Sequence, residues 1–583
     1  MKNYKSIACW LILFCVLFAF LQTYSEFHFY CVEQNQMFLF SWSYVLDRLP
    51  LPGGAVLLAS EFLVQFFIYP YAGAALTALL LVGVGVWTQA VLRRMAPTVP
   101  MFGLSLLPAL GLLFVQFDFN YFLQGTVAYL LLLQLFWFYL WIKGYERRLV
   151  AALVLTPLLY WAGGAVAGLF AVAVVCYELF CRTPRGWWTV AVLVEALLLG
   201  VVSVYFSVAG EYRFVFLPDA YYHHGLTPQS VIYYAWICLP LLLAVACLLR
   251  TRKALTGKPL IAVNLLQVIL VLALCWWGVP KYGDAKSARV KAMDYYTRTG
   301  QWDQIITMSK GEITNFLNMS YLNMALAHKG KLADDMFAYD QRGPQGLLVQ
   351  WNKSAPISTL LNEIYFTMGN CATAQEMAFE GFVSAPGEGN PRLLKRLVET
   401  NLIYGAYPVA EKYINLLEQT LYYRDWATAH RKFLYHDEEV ERDPLLGGKR
   451  RSLPMANHLA LVDGLDKDLK SIAEANPSNP SAIQYLGAYY LLNRDLGHFK
   501  GMIETYYGTE VLPVLPRSFQ EAVITLSESE PGYWTRFGIS NSVMERFTAY
   551  KQQVLANKSN PSALPGLLYR SYGDTYWFYF MFK

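Results

Sequence analysis

Residues 121–142 read YFLQGTVAYLLLLQLFWFYLWI and residues 143–148 read KGYERR. The first stretch carries no charge over 22 residues, and a helix needs roughly 20 apolar residues to cross the ~30 Å hydrocarbon core of a bilayer. It then meets three basic side chains within six residues, the pattern of a spanning helix stopped at a charged membrane surface. Working outward, the first 280 residues repeat this pattern. Further apolar runs cover Ser6–Thr23, Ala72–Leu92, Met101–Phe117, Leu149–Ala162, Gly164–Cys181, Trp187–Ala209, Ser230–Leu249 and Pro259–Gly278. With Tyr121–Ile142 they make about nine spans.

The charges between the runs give an orientation. Thirteen of the fifteen Lys and Arg residues in the first 280 positions fall in every second gap. They are Lys2, Lys5, Arg93, Arg94, Lys143, Arg147, Arg148, Arg182, Arg185, Arg250, Arg252, Lys253 and Lys258. Arg48 and Arg213 fall in the other gaps. Basic residues in short loops stay cytoplasmic, so the N-terminus is expected inside and residue 280 on the far side, periplasmic in a bacterium. Lys2 and Lys5 precede the first run as in a signal peptide, but no small-x-small cleavage site follows, and an uncleaved anchor is expected.

From Lys281 onward, basic and acidic residues balance at 32 each, so the whole +5 formal charge belongs to the apolar half. That places the excess in topology and argues against nucleic acid as a partner. Of the nine cysteines, Cys31 and Cys371 alone lie away from apolar runs, and no C-x-x-C occurs, so neither a disulfide framework nor a zinc ribbon is indicated.

Residues 55–69 are apolar but short, contain Glu61 and Gln65, and abut Pro70. Counting them as a crossing would invert every later loop, so they are expected to form a helix in the outer interface. Gly163 and Gly164 are expected to make a tight outer turn between two short helices.

Beyond Pro280 the pattern becomes amphipathic helices broken by Gly and Pro. Gly300, Gly330, Gly369 and Gly405 recur at intervals of 30, 39 and 36 residues within related segments such as NMALAHKGKLADDMFAY and EIYFTMGNCATAQEMAFEGF. Such units bury their apolar faces only by stacking. DEEVERDPLLGGKRR, residues 437–451, reads as a solvated loop between helices. The tail TYWFYFMFK is expected to be packed, either against the last helices or at a membrane surface.

No P-loop, nucleophile elbow, H-E-x-x-H or dinucleotide fingerprint is present, and no metal site is expected. Polar residues of the apolar half gather toward the outer side: Glu26, Glu33, Asp47, Arg48, Glu61, Asp118, Asn120, Glu211, Arg213, Asp219, His223 and His224. Glu195, inside the seventh run, must be protonated or face a partner.

Three resemblances follow. The segment EANPSNPSAIQYLGAYYLLNRDLGHFKGMIETYY resembles a tetratricopeptide repeat, with Pro480 opening a helix, Tyr485, Leu486 and Gly487 on it and Phe499 on the next. The repeat-like region extends over Asp284–Tyr507. The layout around EFHFYCVEQNQMFLFSWSYVLDRLPLPGGAVLLASEFLVQFFIYPY, residues 26–71, resembles the GT-C class of polytopic glycosyltransferases, with Glu33 where that class carries an acid. The resemblance implies Glu33 and Asp118 as catalytic carboxylates, and a polyprenyl-phosphate sugar as donor. Arg48, Glu61, Arg213, Asp219, His223 and His224 would bind substrate, and a divalent cation is the one cofactor such chemistry could draw on. The paired acidic motif usual in that class is absent. Finally, YYLLNRDL and DTYWFYF resemble an uncharacterised family of polytopic bacterial envelope proteins, which implies a Gram-negative inner membrane.

The expectation is therefore all-α: a transmembrane bundle over residues 1–280 with an outer loop at 24–71, a TPR-like domain over 281–510, and a helical cap over 511–583. Its function is expected to be sugar transfer from a lipid carrier at the outer face, or a non-catalytic scaffold whose repeats bind envelope proteins.

Overall fold

The computed structural model describes residues 2–180, 186–252, 254–283, 285–385, 387, 389–454, 464–528 and 530–583. Cys181, Arg182, Arg185, Lys253 and Asp284 lie outside them, as do the side chains of Lys2 and Lys5. The described chain is all α-helix with short 3₁₀ turns and, among the described residues, no strand beyond two isolated bridges. It divides into two compact units: residues 1–288 with 419–422, and residues 289–418 with 423–583.

In the first unit the helices are α1 (Lys2–Asn35), α2 (Trp42–Arg48), α3 (Gly54–Val64), α4 (Ala72–Met95), α5 (Phe102–Ser105), α6 (Leu107–Val115) and α7 (Leu123–Tyr139). They continue with α8 (Tyr145–Gly163), α9 (Val166–Phe180), α10 (Val190–Tyr205), α11 (Tyr212–Phe216), α12 (Val231–Leu249) and α13 (Lys258–Tyr282). Five segments are long and apolar enough to cross a membrane: Ser6–Asn35, Ala72–Met95, Gly186–Tyr205, Val231–Leu249 and Lys258–Tyr282. Gly54–Ile68, Phe102–Val115, Leu123–Tyr139 and Val166–Phe180 are shorter apolar helices.

Two expectations need correcting. Residues 24–35 are not loop: α1 continues through them past a kink at Ser25 (φ −130°, ψ 23°), so Glu26 and Glu33 ride on a helix. Residues 101–117 are not one straight helix, because Leu106 and Pro108 divide α5 from α6.

Contacts define two ends of this bundle. At one, the Arg94 guanidinium lies 4.2 Å from the Trp141 ring centre, Arg148 pairs with Glu178, and the Thr98 hydroxyl donates to the Arg252 carbonyl at 2.9 Å. The basic gaps at 93–94, 143–148 and 250–252 thus share a basic end. At the other, loop-bearing end, α3 packs across α7 and α8, and its lead-in residue Gly53 (φ 80°) donates to the Trp161 carbonyl at 2.8 Å. A Cβ on Gly164 (φ 76°) would touch Gly53 at 3.5 Å, so glycine lets these two backbones meet. Tyr282 closes on Phe114 (ring centres 5.8 Å), and Phe117 on Tyr24 (5.3 Å), which puts the end of α13 with the loop-bearing end.

In the second unit, helices pair as hairpins. They are α14 (Ala285–Arg298), α15 (Trp302–Met308), α16 (Phe316–His328), α17 (Leu332–Asp335), α18 (Ala355–Met368), α19 (Cys371–Ser384), α20 (Pro391–Ile403) and α21 (Tyr407–Glu418). Asn315, Asn370 and Asn390 cap α16, α19 and α20, each side-chain oxygen accepting from a backbone N–H in the first turn. The turn glycines Gly330, Gly369 and Gly405 all adopt positive φ.

The later chain lies across these turns. Gln484 donates to the Gly330 carbonyl (3.2 Å), Asn479 to Met368 (3.2 Å), Lys449 to Phe366 (2.6 Å), and Arg450 to Leu402 (2.6 Å) and Ile403 (3.0 Å). These acceptors lie at the ends of α16, α18 and α20, where carbonyls lack helical partners and a cation meets the negative end of the dipole. Hence 437–451 is not a solvated loop: it forms helices Asp437–Arg442 and Leu446–Arg451, whose Lys449 and Arg450 close two other helices. Contacts between Pro480–Leu492 and α16, α17 and α18 run beyond the nearest-neighbour pattern of an open solenoid.

The tail is helix Tyr576–Phe582. Tyr576, Trp577, Phe578 and Tyr579 are buried, Tyr576 and Tyr579 against Phe337, and the Tyr579 hydroxyl donates to the Leu492 carbonyl at 2.8 Å.

Candidate functional site

The polar residues of the first unit form three groups. The first stands on residues 33–61. Tyr44, capped into α2 by Ser41, donates its hydroxyl to Glu61 on α3, and the Arg48 guanidinium lies 3.8 Å from the Tyr44 ring centre. Tyr44 therefore brings Arg48 and Glu61 together. Glu33, on the outer part of α1, is buried and accepts from Gln34 Nε2 at 2.6 Å.

The second group joins two loops far apart in sequence. Tyr121 and Tyr222 form an antiparallel bridge, with Phe122 N–H donating to the Tyr221 carbonyl (2.9 Å) and His223 N–H to the Asn120 carbonyl (3.0 Å). Asp118 fastens this seam. Its Oδ1 accepts the Asn120 backbone N–H (3.0 Å) and side-chain amide (2.9 Å), and its Oδ2 accepts Tyr222 and Gln229 (3.2 Å). A carboxylate offers about four lone-pair positions, so all of those on Asp118 serve its own chain.

Asp219 is buried and accepts the Tyr233 hydroxyl at 2.7 Å. Arg213 lies 2.7 Å from Glu211 and donates to the His224 carbonyl at 3.0 Å. Burial, then the neighbouring His223 and Arg213, lowers the pKa of His224. Phe214 lies edge-on to that ring at 4.5 Å. The first two groups meet at the glycine junction: Gln124 donates to the Gly53 carbonyl (3.3 Å), and the buried Tyr221 hydroxyl donates to Gly163 while accepting from Val166 N–H (3.1 Å).

The third group, at the basic end, is not among the sequence candidates. Glu178, fully buried, takes a bidentate pair from Arg148 (2.7 and 3.0 Å) and the Tyr139 hydroxyl (2.8 Å). Its signal was present: a lone carboxylate three residues from the end of an apolar run, with Arg148 at the start of another. The sequence treated Arg148 only as a topology marker. Glu195 sits on α10 with a buried Oε2 that no donor reaches among the described residues. No group of three or more His, Cys, Asp or Glu side chains suited to a metal ion occurs among the described residues.

Both the bundle and the second unit fall within one family match, which spans residues 2–583 and is described as a family of unknown function (DUF6057). The chain belongs to the DUF6057 family. No curated protein and no solved structure matches it. For this DUF6057 chain the chemistry must therefore be read from its own geometry. At the loop-bearing end that geometry is a seam of carboxylates held by phenols and amides, and at the basic end a buried carboxylate matched by a guanidinium.

Proposed function

We propose that this chain is a membrane-anchored module of the bacterial envelope. In this reading nine segments cross the inner membrane, the N-terminus is cytoplasmic, and a TPR-like helical domain stands in the periplasm and binds another envelope protein. Nine crossings are supported by the alternation of ends: α1, α4, α5 with α6, α7, α8, α9, α10, α12 and α13 run in turn between the basic and loop-bearing ends, while α3 stays at the latter. Helices shorter than a full span suit a bundle in which they pack on one another. The hairpins α18–α19 and α20–α21 with their turn glycines support the repeat reading, in a version whose turn edge is covered by the later chain.

The observation that carries a non-catalytic reading is Asp118. With four donors from its own chain it has no lone pair left for an acceptor substrate, and works as a clasp between loops. The test is reconstitution of the whole protein in vesicles supplied with polyprenyl-phosphate sugars. No transfer is expected, and cross-linking in native envelopes should trap a protein partner on the second unit. Sugar transfer that disappears in Glu33→Gln would overturn this reading.

A second reading, transfer of sugar from a lipid carrier, draws on Glu33 and Glu61, two buried carboxylates near the loop-bearing end of a helix bundle, where ionisable groups are costly to keep. Glu33→Gln removes a base at nearly constant volume, so it separates the two readings without disturbing insertion.

A further inference from the structure

Glu195 lies at the middle of a candidate span, the tenth residue of the 20-residue segment Gly186–Tyr205. Its Oε2 is buried against the bundle and receives no donor among the described residues, while the residue as a whole stays partly exposed. A carboxyl left unpaired in hydrocarbon is costly, so such groups pair with one another or with polar groups of a neighbouring helix.

The position of Glu195 on α10 narrows what that neighbour is. α10 packs against α8 and α9 with Val192, Ala196 and Gly200 buried. On its outward side Ala191, Leu198, Val202 and Tyr205 are exposed, and together with Glu195 they recur at intervals of 4, 3, 4 and 3 residues. That is the spacing of the seam along which two helices pack knobs into holes, and a single polar residue within such a seam sets register and oligomeric state. An unlike partner would need a polar group at the matching depth. A second copy related by a two-fold axis along the membrane normal brings Glu195 opposite Glu195 with no further requirement. The chemistry is self-complementary too: a carboxyl that keeps its proton has one O–H to donate and a carbonyl oxygen to accept, so two of them close a ring of two hydrogen bonds.

We propose that the outward seam of α10 is the interface of a parallel homodimer, in which the Glu195 carboxyls of two copies hydrogen-bond to each other within the membrane. The proposal rests on the reading that the first unit spans the membrane.

The experiment uses the full-length protein in phospholipid vesicles, as two pools carrying donor and acceptor fluorophores at the C-terminus, with energy transfer followed as lipid dilutes the protein. Transfer between copies is expected. Glu195→Leu should raise the dissociation constant about tenfold, the scale of interhelical hydrogen bonds in membranes. Glu195→Gln should stay close to the unaltered protein, because a carboxamide also donates and accepts. Under oxidation Leu198→Cys should link residue 198 to residue 198 of the second copy, identified by mass spectrometry of the joined peptides. Leu197→Cys, exposed but off the seam, should not link. Absence of energy transfer would overturn the proposal, and so would undiminished association in Glu195→Leu. Asn264, an exposed polar residue on α13, is the competing site: linkage through Asn264→Cys in place of Leu198→Cys would overturn it as well. Release of the protein from membranes by alkaline carbonate would instead refute the membrane-spanning reading, which separates the two failures.

Discussion

Side-chain caps are commoner at helix starts in the second unit than in the first, although α15, α17 and α18 begin without one and α2 is capped by Ser41. In the second, Asn315, Asn370, Asn390 and Asn479 each place a side-chain oxygen on the first-turn N–H groups of the helix that follows, twice just before a proline at its first position. In the first, α3 to α8 begin with no side-chain cap. On the proposal that the first unit spans a membrane and the second stands in water, solvent accounts for the difference. In water a helix boundary must be marked locally, since the chain could continue or fray at little cost. In an apolar surrounding, unpaired backbone is so expensive that the length of the apolar run marks the boundary instead. Buried charge divides the same way. The first unit holds the tight pair Arg148–Glu178, whereas the second threads Asp294, Arg392, Glu363, Arg396 and Glu399 into one alternating chain across α14, α18 and α20 (2.7–2.9 Å).

The comparison can be broken most forcefully at the tail. Deleting residues 576–583 removes four buried rings, each worth roughly 1.5 to 3 kcal/mol, and frees Glu521, whose Oε2 accepts the Tyr576 N–H (2.7 Å). The second unit should lose its cooperative thermal transition by circular dichroism while the helices of the first unit persist. An unchanged transition would mean the aromatic tail acts outside this unit.

Next comes Arg148→Ala, which leaves Glu178 buried without its cation. Breaking one side of a buried pair costs about 3–5 kcal/mol, so detergent-solubilised protein should unfold at markedly lower temperature. Replacing both partners, Arg148→Met with Glu178→Leu, should recover most of the loss. Failure to recover would show that the pair specifies the packing of α7, α8 and α9 and does more than balance charge.

A pH titration sharpens the contrast within the second unit. Burial pushes the Glu521 carboxyl from its usual 4.5 up to about 7, against the pull of Arg517. An acid harder to ionise folded than unfolded withdraws stability as pH rises from about 4.5 to about 7. Burial also works to raise Glu363, but Arg396 and Arg392 outweigh it and hold the carboxyl down to about 2. Glu363 therefore supplies stability above about 4.5 that is lost as pH falls toward 2. Melting temperature should peak near pH 5 and decline on both sides, and Glu521→Gln should flatten the neutral limb alone.

The smallest effect is Asn390→Ala, about 1 kcal/mol for a lost helix cap, read as a small shift in the denaturant midpoint of the second unit. A cost several-fold larger would mean Asn390 holds more than the start of α20.

The sequence by itself determined the local properties. Runs such as 121–142 gave helices, because in an apolar run the helix is the conformation that pairs its own backbone groups, and the turn glycines gave the hairpin ends at 330, 369 and 405. The polar candidates were also legible by type, since few charges interrupt the apolar half. What only the tertiary structure decided is which of them meet. Asp118 meets Tyr222 across 104 residues, Arg148 meets Glu178 across 30, and Gln484 meets Gly330 across 154. No periodicity links such positions; their pairing is fixed by how the helices stack and by the need of each buried donor and acceptor for a partner. For the same reason residues 437–451 read as a loop in the sequence. Their charges suggest solvent, but the helix-terminal carbonyls that Lys449 and Arg450 satisfy lie 47 to 83 residues earlier, where only the folded packing brings them within reach.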